Sequence, residues 1–412
     1  IPNSIRSIGR LSFYKCSNLA EVTIENCPDN TDVIITIGDT AFGLCSKLSK
    51  LSLGNAIGEI GLSAFTFCEQ LTSVAIPNSV KRIRQYAFRS CTSLENVTLS
   101  DAIEEIENSV FLDCKKLSSI VIPDRVTKIG DFSFSGCKSL ASIYIPATVT
   151  SIGQCAFYNC SKLMSLSLPA ITEIKAQTFC GCSSLPSIDI PESVTVIGHE
   201  AFMNCSNLEA ITIPESVTVI NQSVFSRCLS LKSVTLPDGL TSIKREAFNN
   251  CKSLENIIIP QSVIEIGMYA FQNCYNLKSV NIPGNISTLE DCIWLYCSNI
   301  ECVEYMTDAP VAASETLFDD EIFENATLYI PIGKKDKFET IQPWSKFLKF
   351  EEKDFSGIDD IVADDTSDND IEYSAPYEVY NLNGVKTGNS IDSLAAGLYI
   401  VRQGNKVKKL KI

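Results

Sequence analysis

Hydrophobic and polar positions alternate along this chain in short bursts, and the bursts return at a fixed distance. In Val74-Ala75-Ile76-Pro77 the apolar residues fall at every second position, the periodicity of a strand with one buried face. Proline directly after the strand has no amide to donate, so it ends the strand and turns the chain. Val80 and Ile83 resume the alternation over a second short extended stretch and are expected to point inward. The small residue before most phenylalanines (Ala41, Ala64, Ala87, Ala156, Ala201, Ala247, Ala270) lets a ring enter the core. Gly61, Gly130, Gly153, Gly198 and Gly267 share one phase and are expected to supply a turn with positive φ.

The same unit recurs through most of the sequence. Its cysteine column runs Cys16, Cys45, Cys68, Cys91, Cys114, Cys137, Cys160, Cys182, Cys205, Cys228, Cys251, Cys274 and Cys297, in steps of 23 residues apart from one of 22 and one of 29. Three residues before each cysteine stands an aromatic residue, from Phe13 to Phe271 with Trp294 last, and three after it stands Leu19 through Leu277, then Ile300. One such coil cannot enclose a core, but stacked coils bury each other's faces. Each phenylalanine buried in this way should contribute roughly 1.5–3 kcal/mol. The expected result is a parallel-stranded solenoid of about thirteen coils, roughly 60 Å along its arc at about 4.8 Å per strand step.

The spacing Leu71, Val74, Ile76, Pro77, Val80, Ile83, Ala87, Phe88, Cys91 resembles the BspA-like class of leucine-rich repeats over roughly residues 1–303. That resemblance implies an α/β-type leucine-rich-repeat solenoid, or horseshoe, of short parallel strands with irregular or short helical returns. It also implies an extracellular or outer-membrane surface location and a role in adhesion or in binding host proteins. The repeat physics alone implies only a scaffold.

Beyond Cys297 the period decays, and residues 304–350 are read as a divergent capping unit. Leu328-Tyr329-Ile330-Pro331 keeps the strand-then-proline signature, Lys334 to Ile341 suggests a short helix, and Trp344, Phe347 and Phe350 can close the last coil. This stretch resembles the end segment of bacterial arrays of the same kind. Residues 351–375 form an acidic linker, with Asp359, Asp360, Asp364, Asp365, Asp368 and Asp370 among few large apolar residues. The alternative is a calcium loop spaced on Asp368 and Asp370, without the glycine and distal glutamate of an EF-hand. Residues 376–412 carry three strand signals, around Val379, Tyr399 and Val407, separated by glycine turns. This small β module resembles the C-terminal sorting tails of Bacteroidetes proteins, including type IX secretion cargo. It differs in having Ala395-Ala396 where a proline is usual, and in being shorter.

Composition narrows the function classes. Apolar residues make up 45% of the 412 positions and charged residues 20%, ample for a packed core. A formal charge of −15 argues against nucleic acid, because phosphate binding needs a basic stripe. No apolar run reaches the eighteen or so residues of a bilayer crossing. The chain opens at Ile1-Pro2, inside a repeat unit, so its start is expected to lie upstream.

Candidate chemistry is sparse. The in-phase cysteines have the profile of small buried hydrophobes, and a reduced core ladder is expected, although coil spacing alone permits disulfides. The off-phase Cys27, Cys155, Cys180, Cys292 and Cys302 lack paired zinc spacing, and no metal or other cofactor is expected. His199, the only histidine, would have to serve any Cys–His or Ser–His–Asp site, yet it sits in a variable polar phase beside Gln154, Gln222 and Arg245 of other coils. An enzyme is therefore not expected.

What remains is surface. The residue between the two inward apolars of each first strand should face out: Thr23, Ser52, Ala75, Thr98, Val121, Tyr144, Ser167, Asp189, Thr212, Thr235, Ile258 and Asn281. This strip is hydroxyl-rich and nearly neutral. It is either an ordinary solvated sheet or a binding face for a host or matrix protein, with Val121, Tyr144, Asp189, Ile258 and Asn281 as candidate contacts and Tyr144 as the anchor. A structural spacer without a ligand of its own is the other reading. Glycan binding would want aromatic platforms, and on this strip only Tyr144 offers one.

Overall fold

The computed structural model describes residues 1–28, 34–355, 377–381, 386–388, 398–403 and 406–411. Most repeats lay down two short strands, and each of these strands pairs in parallel with its counterpart one coil away. Val74 lies opposite Val97 in the first ladder, and Ile60 lies opposite Ile83 in the second. A parallel register at one repeat places identical phases side by side, so inward residues stack on their own kind in one continuous hydrophobic cluster. Proline ends the first strand as expected, with the Val80 amide donating to the Pro77 carbonyl at 2.9 Å to close the corner.

The third side of each coil is a run of turns. In the coil of Phe65, the amides of Ala64, Thr66 and Cys68 donate within the turn to Gly61, Ser63 and Phe65, at 3.1–3.2 Å. The alternate amides of Ser63, Phe65 and Phe67 donate forward to Gln85, Ala87 and Arg89 of the next coil, at 2.8–3.0 Å. Local and cross-coil bonds thereby share out the backbone groups that a helix would have satisfied alone. Helix is excluded from these returns by two left-handed residues per coil, such as Ser63 (φ 54°) and Phe67 (φ 57°).

The in-phase glycines play a different part from the one expected of them. Among the described residues, positive-φ glycines are Gly136, Gly181 and Gly333, none of them in the phase of Gly61. Gly61 is needed for closeness: a β-carbon there would stand 2.6 Å from the Ile37 carbonyl oxygen of the preceding coil.

The aromatic column is longer than its cysteine spacing suggests. Fourteen rings, Phe13 to Phe318, stack in thirteen successive pairs with centroids 5.0–6.1 Å apart and planes within 15°. Phe318 extends the column past Trp294 at 5.1 Å, a coil hidden in the sequence because Glu321 stands where cysteine is usual. Beyond it the geometry changes to edge-to-face: Phe318, Phe323 and Phe347 meet at 78–85°, and Tyr305 meets Phe338 and Trp344 at 78° and 87°. Trp344 is fully buried and its indole Nε1 donates to the Val311 carbonyl at 2.7 Å. The helix expected between Lys334 and Ile341 is the single turn Lys335–Phe338, and Asp320–Asn325 adds a helix the pattern did not announce.

Near the C-terminus, Glu378–Asn381, Lys386–Gly388, Leu398–Gln403 and Lys406–Lys411 form one antiparallel sheet, one strand more than the three expected. The linker aspartates from Asp359 to Asp370, the Asp368–Asp370 calcium alternative, Gly384 and Ala395-Ala396 lie outside the described residues.

Candidate recognition surface

The outward column of the first ladder is where alternation placed it, exposed at every position from Thr23 to Ile258. Val121 and Tyr144 are 72% and 61% exposed and face each other across a parallel bridge. They form an apolar pair within a run of Thr98, Ser167 and other small polar side chains.

The other candidates do not join that pair. Asp189 is exposed two coils further on, where the ladder is interrupted. Pro186 supplies the local cause, since it has no amide to extend the cross-coil series in which Met164 donates to Ala141 and Glu209 donates to Pro186. Ile258 is 54% exposed, again on a coil without an assigned first strand. Asn281 is half-buried and committed to structure: its Oδ1 accepts the Ile259 amide at 2.8 Å while its Nδ2 donates to the Ile259 carbonyl at 2.7 Å. A side-chain amide thus stands in for a peptide group in that part of the ladder.

The cysteines have a role that sequence reading missed. All eighteen are free. From Cys45 to Cys297, each in-phase thiol donates to the carbonyl of the phenylalanine one coil earlier, as Cys137 does to Phe111 at 3.3 Å. That carbonyl also accepts the amide of its own coil's cysteine, Cys114 to Phe111 at 3.1 Å, so both its lone pairs are used. The invariance of the cysteine phase within this one chain was the available signal: a residue of similar size without a donor appears at none of the thirteen positions. Burial pushes the Cys45 thiol up to about 11 and the deeper Cys114 and Cys137 well above the ordinary thiol range. These sulfurs stay protonated at neutral pH, which is the opposite of a nucleophile's environment.

His199 is exposed and borders a polar groove with Gln222, Lys244, Arg245 and Glu265. Among the described residues no group of three or more His, Cys, Asp or Glu side chains is placed to hold a metal ion. Nor is any helix among them long and apolar enough to cross a membrane.

Known proteins share this architecture. A leucine-rich repeat protein from Bacteroides ovatus is 30% identical, with a TM-score of 0.61, over 73% of this chain and 82% of that one. A leucine rich cell surface protein from Faecalibacterium prausnitzii is 33% identical, with a TM-score of 0.46, over 68% of this chain and 76% of the other. No curated protein matches the chain. The family description "BspA type Leucine rich repeat region" matches in six copies across residues 1–118, 104–232 and 220–343. With its thiol-bonded phenylalanine column and paired parallel ladders, the chain belongs to the BspA-type leucine-rich repeat family.

Proposed function

We propose that the protein is a non-catalytic recognition scaffold, presented at a bacterial cell surface or secreted, that holds a host or matrix protein against its exposed strand face. The observation that carries this reading is the Val121–Tyr144 pair, two large side chains more than half exposed and adjacent, flanked on the strip by Thr98 and Ser167. Aromatic residues that become buried on association dominate interface energies, and neighbouring polar residues exclude water around them. The near-neutral strip implies binding that tolerates salt, in contrast to an electrostatically driven complex.

The test is a titration of the chain against immobilised extracellular-matrix and plasma proteins, with Tyr144→Ala beside the wild type. Saturable binding should weaken about 30-fold in the variant, the effect of a hot spot worth about 2 kcal/mol. Binding that is saturable but indifferent to Tyr144→Ala would remove this face. Absence of any binding would favour the structural spacer.

A further inference from the structure

A second surface lies on the turn side of the coils, away from the strand face. In the later coils the positions just before and just after the in-phase cysteine line shallow grooves, and the chemistry of their lining is ordered along the array. One groove of about 490 Å³ is lined by Asn204, Arg227, Asn250 and Lys252, among others. A second, of about 440 Å³, is lined by Tyr275, Tyr296, Asp319 and Glu321, among others. The Lys252 ammonium lies 5.5 Å from the centroid of the Tyr275 ring, which joins the two grooves edge to edge.

Along the axis the order is cation, aromatic, carboxylate. Tyr275 and Tyr296 are 39% and 52% exposed on consecutive coils. The Asp319 carboxylate accepts the Tyr296 amide at 2.6 Å and is thereby fixed at the channel's end. Asp320 is drawn toward Lys346 at 3.4 Å, so Asp319 and the exposed Glu321 set the sign of this end. From the Arg227 coil to the Asp319 coil there are four steps of 5.1–6.1 Å. That span, roughly 20 Å, matches about six residues of extended chain.

We infer that this channel is a docking site for an extended peptide segment of a partner protein, bearing acidic side chains at the Arg227–Lys252 end and basic ones at the Asp319–Glu321 end, with its middle laid across Tyr275 and Tyr296. Charge complementarity selects a dipolar peptide over a neutral ligand, because opposite charges at the two ends fix both register and direction. The tyrosines supply rigid contact area with little side-chain entropy to lose. A basic side chain at the second end can also lie over an exposed tyrosine ring, where the ring's negative face attracts a cation.

The experiment uses fluorescein-labelled octapeptides titrated into the full chain and read by anisotropy. Two carry paired glutamates at one end and paired arginines at the other, in opposite orders, across a Gly/Ser spacer. A third interleaves the same charges. At low salt, one order should bind at least tenfold more tightly than the interleaved peptide and weaken as salt rises. Arg227→Glu and the double variant Tyr275→Ala/Tyr296→Ala should each weaken it at least fivefold. Tyr144→Ala should leave it unchanged, which separates this site from the strand face. Equal binding of all three peptides, no binding of any, or indifference to the channel variants would overturn the inference. Capture of a neutral oligosaccharide with no peptide binding would reassign the channel to glycans.

Discussion

Replacing Cys137 by alanine isolates the thiol contact that recurs in the coils from Cys45 to Cys297. The side chain is fully buried, and its thiol donates to Phe111 at 3.3 Å. Deleting sulfur loses about 1 kcal/mol of transfer free energy. A void of about 25 Å³ adds roughly 0.6 kcal/mol. A weak thiol hydrogen bond accounts for about 0.5 kcal/mol more. The Phe111 carbonyl is not left bare, because the Cys114 amide still donates to it at 3.1 Å, and no full desolvation penalty is added. The expected cost is about 2 kcal/mol, or about 30-fold in an opening equilibrium. In a solenoid each coil contacts only its neighbours, so the loss should be local. Native-state hydrogen exchange by mass spectrometry should show it at the amides of Phe111 and Phe134, which donate to Ser133 and Ala156, and not at Phe271. Cys137→Ser retains a donor, so a smaller loss there would assign part of the cost to the hydrogen bond. A change below threefold in Cys137→Ala, or one spread evenly along the array, would refute the reasoning.

Two further predictions concern the coil stack itself. Gly61→Ala forces a β-carbon to within 2.6 Å of the Ile37 carbonyl and should lower the urea midpoint by the equivalent of about 2 kcal/mol. Gly239→Ala, whose nearest neighbour would be 3.9 Å away, should leave the midpoint nearly unchanged; equal effects would discredit the close-approach explanation. The Glu265 carboxyl is held below its ordinary range, first by the Lys244 ammonium at 2.7 Å and also by the Ser242 hydroxyl. A depressed folded-state value means stability that is present above the unfolded carboxyl's range and lost as pH falls through the folded one. The small stability gap between wild type and Glu265→Gln should therefore be open at pH 7 and close in acid, as denaturation midpoints across pH would show. A gap that widened on acidification would reverse the sign of the assignment.

Much of this molecule was legible because a solenoid is nearly one-dimensional. The 23-residue period, the alternation around Val74 and Ile76, and the proline at 77 together settled strand direction, strand faces and neighbour identity. When residue i packs on residue i+23 through nearly all of the array, sequence spacing becomes spatial contact. The outward positions of Val121, Tyr144 and Ile258 followed from the same alternation. The turns were less readable. Left-handed positions fell on Ser63, Tyr86, Glu246 and other non-glycine residues, since their amides are claimed by the next coil and that bonding outweighs local preference. The hidden fourteenth coil escaped because Phe318 keeps the ring but loses the cysteine.

By itself, then, the sequence determined the family, the parallel stacking and which side chains enter the core, all of which depend on periodicity along the chain. Tertiary structure alone decided three things. One was that each in-phase thiol from Cys45 to Cys297 bonds a carbonyl of the preceding coil, and another that the Asn281 side-chain amide bonds both backbone groups of Ile259. The third was that Arg227, Tyr275, Tyr296 and Asp319 fall in order along a channel. Each of these depends on distances between coils, and an in-line pattern fixes the order of residues without fixing how closely their side chains meet.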